Sequence, residues 1–209
     1  REKAGIEHVI ISGSHSHHGP VIELTDRPGY GKGKFDDSVA YSQQLPQLLI
    51  EAILEADANL QPARMGIAKQ KLDYNRNRHT KRQPKVTDPD LAVLRFDDAD
   101  GKAIALLVNF AAHPVMTDDK LLKFSADYPG FMKRKVSGEL GVPVVFMQGA
   151  AGDMSPNPVD GRGGPENFGN ALADRVLELA GSVSTAVPEK PSIDGRTDHF
   201  EFGSRVNFG

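Results

Sequence analysis

The sequence predicts an α/β fold: a mixed β-sheet flanked by helices, with active-site loops at the carboxyl ends of strands. Three segments share one pattern, "HVIISGSHSHHGP", "AIALLVNFAAHPVMTDD" and "VPVVFMQGAAGDMSPN". Each runs from a short β-branched apolar stretch through small residues into a polar cluster, as buried strands bounded by Gly or Pro do. Helical periodicity lies between them, and strands mixed with helices indicate an α/β architecture. In such sheets ligands bind beyond the carboxyl ends of strands. If the three strands run parallel, their polar clusters meet on one edge.

The elements follow in order. The first strand is expected in "HVIIS". From Ser38 to Leu60, Leu45, Leu49, Ala52, Ile53 and Ala56 recur at three- and four-residue spacing, which gives an amphipathic helix with Pro46 near its first turn or at a kink. Residues 62–73 and 90–97 read as strands, and "DDADGKA" as the hairpin turn joining "LAVLRF" to "AIALLVNF". A shorter helix is expected from Tyr128 to Leu140, opened by Pro129. Another runs from Glu166 to Ala180, with Phe168, Ala171, Leu172, Val176 and Leu179 on its apolar face and Gly181 as its stop. The tail "RTDHFEF" alternates like a strand. Gly- and Pro-rich loops at 26–34 and 156–165 are long enough to suggest function.

Bulk properties exclude several classes. With 209 residues, 39% of them hydrophobic, the chain can bury a sizeable core and reads as one α/β domain. A net charge of -3 argues against a general nucleic-acid binder; the basic run "NRNRHTKRQPK" reads as a solvated loop. No segment approaches the roughly 20 apolar residues that span a bilayer. The absence of cysteine excludes disulfides and thiolate ligands, so a metal must use His, Asp, Glu or Tyr. No leader is visible. The chain opens at Arg1 and ends on "SRVNFG", which reads as an internal fragment or an incomplete chain.

His15 and His17 form an H-x-H pair whose side chains, in extended chain, point to one face and can approach one ion or one substrate. Polar loop histidines are the plain alternative, and His18 reads as a neighbour. His113 emerges from "LLVNFAA", held extended by Pro114. Catalytic zinc normally takes three protein ligands, and Glu23, Asp118, Asp119, Asp127 and Asp153 are the carboxylate candidates. Ser155, followed by Pro156, reads either as a helix N-cap or as a hydroxyl that binds a substrate oxygen at a helix start. Arg78 is a fixed cation for a polarised oxygen, or a surface arginine. There is no G-x-S-x-G elbow, P-loop or dinucleotide fingerprint.

Taken in order, these segments resemble the catalytic domain of the neutral (neutral/alkaline, non-lysosomal) ceramidase family. "SHSHHGP" resembles its T-H-T-H-S-G-P, and "NRNRH" its N-R-S segment. "LRF", the D-G turn and "NFAAHP" resemble L-R-F, D-G and N-W-F-A-V-H-G. "FSADYPG" is similar to S-S-D-N-K-G, and "GDMSPN" to G-D-V-S-P-N. The resemblance implies a zinc-dependent amidase splitting the N-acyl bond of ceramide into fatty acid and sphingosine. It implies that His15 and His113 are zinc ligands. His17 would bind substrate or carry a proton, Arg78 would face the substrate, and Ser155 would stand beside the reacting water. A lipid-like substrate leaves peripheral membrane contact open, and the expected setting is secreted, periplasmic or cell-surface. Position 18 is His where the family has Ser, and Pro114 replaces Gly. The family's other ligands, a Glu in P-G-E and a Tyr beyond it, have no counterpart in these residues. A metallohydrolase acting on other esters or amides, and a non-catalytic binding remnant, are the competing readings.

Overall fold

The computed structural model describes residues 5–6, 9–22, 36–190, 192, 196, 198–201 and 203. The Gly- and Pro-rich loop at 26–34 and the candidate ligand Glu23 lie outside them. Among the described residues nine elements follow one another: α1 (Asp36–Ala58), β1 (Arg64–Lys71), β2 (Asn75–Asn77), β3 (Asp90–Asp97), β4 (Ala103–Phe110), α2 (Asp127–Leu140), β5 (Val144–Gln148), β6 (Met154–Pro156) and α3 (Gly164–Ser182).

The architecture is α/β. Four strands form a mixed sheet in the order β1-β3-β4-β5, and β2 pairs with β6 in a separate two-stranded sheet. β3 is antiparallel to both β1 and β4, the latter across the expected hairpin with a register shift at Phe96/Asp97. β4 and β5 run parallel, Phe110 beside Gln148.

Strand alternation divides the residues by face. Leu91 and Val93 of β3, Leu106, Val108 and Phe110 of β4, and Val144 and Phe146 of β5 form one core with Tyr128, Met132 and Val136 of α2 and Phe168, Leu172 and Val176 of α3. Tyr128 meets Phe168 edge to face at 5.0 Å, an arrangement that suits the quadrupoles of two rings. The two helices lie unusually close at Gly169, where a Cβ would stand 2.6 Å from both the Tyr128 carbonyl oxygen and the Phe131 Cβ.

Some expectations change. Residues 9–12 form no strand, because no described strand lends them an edge; Val9, Ile10 and Ile11 are exposed. Among the described residues their loop makes one β-bridge to the rest, His18 to Ser125. The described residues of 196–202 form no strand either. Pro46 sits well inside α1 rather than in its first turn. α3 runs past Gly181 and is capped at Val183. None of the helices among the described residues is long and apolar enough to cross a membrane.

Candidate metal centre

The parallel pairing of β4 and β5 sends the "AAHP" and "GAAGDM" loops out of the same sheet edge. Gly149 lets them touch: its N–H donates to the Phe110 carbonyl at 3.0 Å, and a Cβ there would press on Ala111 Cβ at 2.9 Å. The His113 N–H then donates to the Met154 carbonyl at 3.0 Å, tying the end of β4 to the start of β6.

The His15 loop arrives at this edge without a strand beneath it. His15 adopts φ 62°, so the H-x-H pair is not extended chain, as the alternation argument required. The rings converge through a left-handed turn instead. Nitrogens of His15, His17 and His113 all lie within 4.8 Å of one another. The His15 and His113 Nε2 atoms are 2.9 Å apart, and the His17 ring stands 5.2 Å from both of its neighbours, centroid to centroid.

His113 is buried, whereas His15 and His17 are exposed. Its Nδ1 donates to the Ala151 carbonyl at 2.7 Å. That bond assigns the tautomer and leaves the Nε2 lone pair facing His15, as a carbonyl behind a metal-binding imidazole does. Burial pushes the His113 pKa below the usual histidine range against that hydrogen bond, helped by the Arg78 charge and the neighbouring imidazoles. A neutral ring is the ligand form. The donor set fits zinc, a cysteine-free group of imidazoles with one ring already oriented. Two nitrogens on tetrahedral zinc sit about 3.3 Å apart, so the 2.9 Å separation needs a small opening.

Arg78 joins this group. Its Nη2 donates to the Gly152 carbonyl at 3.0 Å and lies 3.3 Å from His113 Nε2. Behind it, the buried Asn77 donates to Asp153 Oδ2 at 2.7 Å, and the Arg78 N–H donates to the Asp153 carbonyl at 2.8 Å.

Ser155 is buried but caps no helix. It lies in β6 opposite Arg76, since the following proline continues a strand pair that the sequence reading did not anticipate. It stands one residue beyond the carbonyl that holds His113, and among the described residues its side chain hydrogen-bonds no imidazole.

None of the described carboxylates joins the histidines. Asp153 is engaged by Asn77, and Asp118 Oδ1 accepts the Lys120 N–H at 2.9 Å. Asp127 is almost fully buried and spends its oxygens on backbone donors, so it is a loop organiser and not a ligand. His18 Nε2 donates to the Asp118 carbonyl at 3.1 Å, which holds the loop rather than facing the cluster. Sequence reasoning missed Ser16, Ser125 and Tyr128, which grip the histidine loops. The Ser-x-Asp-x-Pro pattern of 125–129, a helix-start signal, was the available clue.

No family model matches the chain. Among solved structures, the fold is that of neutral ceramidases, a likeness of fold alone. It resembles neutral ceramidase from Pseudomonas aeruginosa with a TM-score of 0.58 and 23% identity over 72% of this chain. It resembles a ceramidase complexed with C2 with a TM-score of 0.64 and 23% identity over 82% of this chain. The chain spans 27% and 30% of those two proteins.

Proposed function

We propose that the chain is one part of a larger zinc-dependent amide hydrolase of neutral-ceramidase type, cleaving the N-acyl bond of a ceramide-like lipid. The carrying observation is the convergence of His15, His17 and His113 beside Arg78 at the carboxyl edge of the sheet. The ceramidase-like fold supports the reaction class, and the neighbour complexed with C2 supports the choice of substrate.

His15 and His113 hold the metal in this reading, because their Nε2 atoms are the closest pair. Zinc, when bound there, supplies Lewis acidity and lowers the pKa of water. The chain's own residues do the rest. His113 is kept neutral by burial and aimed by the Ala151 carbonyl. Arg78, fixed by Gly152, presents a guanidinium to the charge that grows on the carbonyl oxygen. His17, exposed and adjacent to both ligands, carries a proton on a ring nitrogen to the leaving amine. Ser155, buried in β6, serves this reading as the attacking hydroxyl or as an orienting group.

The test uses the full-length protein with His15→Ala and His113→Ala, reading zinc content and hydrolysis of N-acylsphingosines. Loss of both supports the reading; retention of both overturns it. A panel of acyl-chain lengths decides the substrate class, since preference for short polar amides would replace ceramide with another substrate.

A further inference from the structure

The segment that opens α2 grips both loops that carry the histidines. Asp127 Oδ2 accepts the Met116 N–H at 2.9 Å, the Thr117 N–H at 2.7 Å and the Thr117 hydroxyl at 2.7 Å. Its Oδ1 accepts the Tyr128 N–H at 2.7 Å. The carboxylate thus fastens the chain just beyond His113. Tyr128, next in sequence, donates its hydroxyl to the Ala112 carbonyl at 2.6 Å, just before His113. His113 is therefore bracketed on both sides.

The other half of the grip reaches the His15 loop. The Thr117 hydroxyl already donates to Asp127, so it must accept from Ser125 Oγ, 3.1 Å away. Ser125 Oγ in turn accepts the Asp127 N–H at 3.0 Å. The Ser125 carbonyl accepts the Ser16 hydroxyl at 2.5 Å, and the Ser125 N–H donates to the His18 carbonyl at 3.1 Å. Ser16 Oγ also accepts the His18 N–H at 3.2 Å. Ser16 lies between His15 and His17, so its anchor sets where both rings stand.

Asp127 is held at φ 52°, a left-handed conformation that is strained for a non-glycine residue. Its hydrogen bonds over-determine that geometry. Two of them also satisfy the first N–H groups of α2, those of Asp127 and Tyr128; the three on Asp127 Oδ2 serve only the chain beyond His113.

We propose that Asp127 and Ser125 are positioning residues that set the separation of the His15–His17 loop from His113, acting through Thr117 and Ser16. The metal consequence rests on the reading of the histidines as a zinc centre; the positional consequence does not. In Asp127→Asn, whichever way the amide turns, an N–H meets a backbone N–H. Either Met116 and Thr117 or Tyr128 loses its acceptor. Ser16→Ala removes the hydroxyl's bonds to the Ser125 carbonyl and the His18 N–H, and leaves the Asp127 network and the backbone bond from Ser125 to His18 in place.

The test combines two readouts on the 209-residue chain. Nuclear Overhauser contacts between the His15 and His113 rings are measured without metal, and Zn²⁺ affinity by calorimetry. The expectation is loss of the ring contacts and a fall of about 10–100-fold in affinity in Asp127→Asn and Ser16→Ala, with Ser16→Thr restoring both. Should Asp127→Asn fail to fold, Ser16→Ala decides alone, because it removes one half-buried hydroxyl. If the wild type binds no zinc yet loses its ring contacts in Ser16→Ala, the positioning role stands and the metal reading falls. Unchanged ring contacts in Ser16→Ala overturn the proposal.

Discussion

Replacing Gly169 with alanine tests how closely α3 must approach the helix that carries the site's supports. The added Cβ would stand 2.6 Å from the Tyr128 carbonyl oxygen, 2.6 Å from Phe131 Cβ and 3.1 Å from the Met132 nitrogen. Two of these atoms are backbone and cannot swing aside, so α3 must move. Overpacking of this kind costs about 1–3 kcal/mol, and rigid neighbours put this site in the upper half of that range. Alanine's better helix propensity offsets about 1 kcal/mol. The net loss of about 1–2 kcal/mol lowers Tm by about 2–8 °C in a chain of this size. Gly138 is the control: it is exposed within α2, and a Cβ there meets nothing within 4 Å. Gly138→Ala raises stability by about 0.4–1 kcal/mol. Thermal melts and urea titrations of the two variants have opposite signs in this account. A Gly169→Ala protein that melts above the wild type would refute the close approach of the helices.

Other outcomes follow from single contacts. Asn75→Ala strips buried hydrogen bonds from the Asp88 and Ala111 carbonyls and costs about 2–3 kcal/mol, read as a lower urea midpoint. Tyr128→Phe costs only about 0.5–1.5 kcal/mol, because Gln148 still donates to the Ala112 carbonyl at 3.0 Å; its urea midpoint should lie between those of Asn75→Ala and the wild type. Burial would raise the Asp97 pKa, but hydrogen bonds from Arg95 and Thr185 and the charges of Arg95 and Arg64 outweigh it, holding the carboxyl below its usual 3.8. A depressed carboxylate contributes stability that is present above its unfolded pKa and lost as pH falls through the folded one. Asp97→Asn therefore lowers Tm at pH 7, and its deficit against wild type narrows as pH drops below 3.8.

The fold was legible where burial writes a period. Leu91, Val93, Leu106, Val108 and Phe110 alternate because one face of their strands meets helices, and Phe168, Leu172 and Val176 mark the face that answers them. It was illegible in "HVIIS", where an apolar run has β composition but no partner edge, and pairing is not a local property. The same limit hid β2 and β6, whose three-residue strands are too short to carry a period. That omission turned Ser155 into an expected helix cap. At the site, His15, His113 and Arg78 were found from position and resemblance, and they do converge. The carboxylates were harder. Asp127 looked like a ligand candidate because composition cannot tell an acid that binds metal from one that binds backbone N–H groups. Only the fold brings Met116, Thr117 and Tyr128 around it.

The claim that matters most is that the imidazoles of His15 and His113 share an ion. Anomalous diffraction at the zinc edge, on crystals of this chain grown with Zn²⁺, tests it directly. The account predicts one strong peak between the two Nε2 atoms, with their separation opened from 2.9 Å to about 3.3 Å and Ala151 still bonded to His113 Nδ1. Zinc bound elsewhere, with the direct contact between the two imidazoles intact, would contradict it.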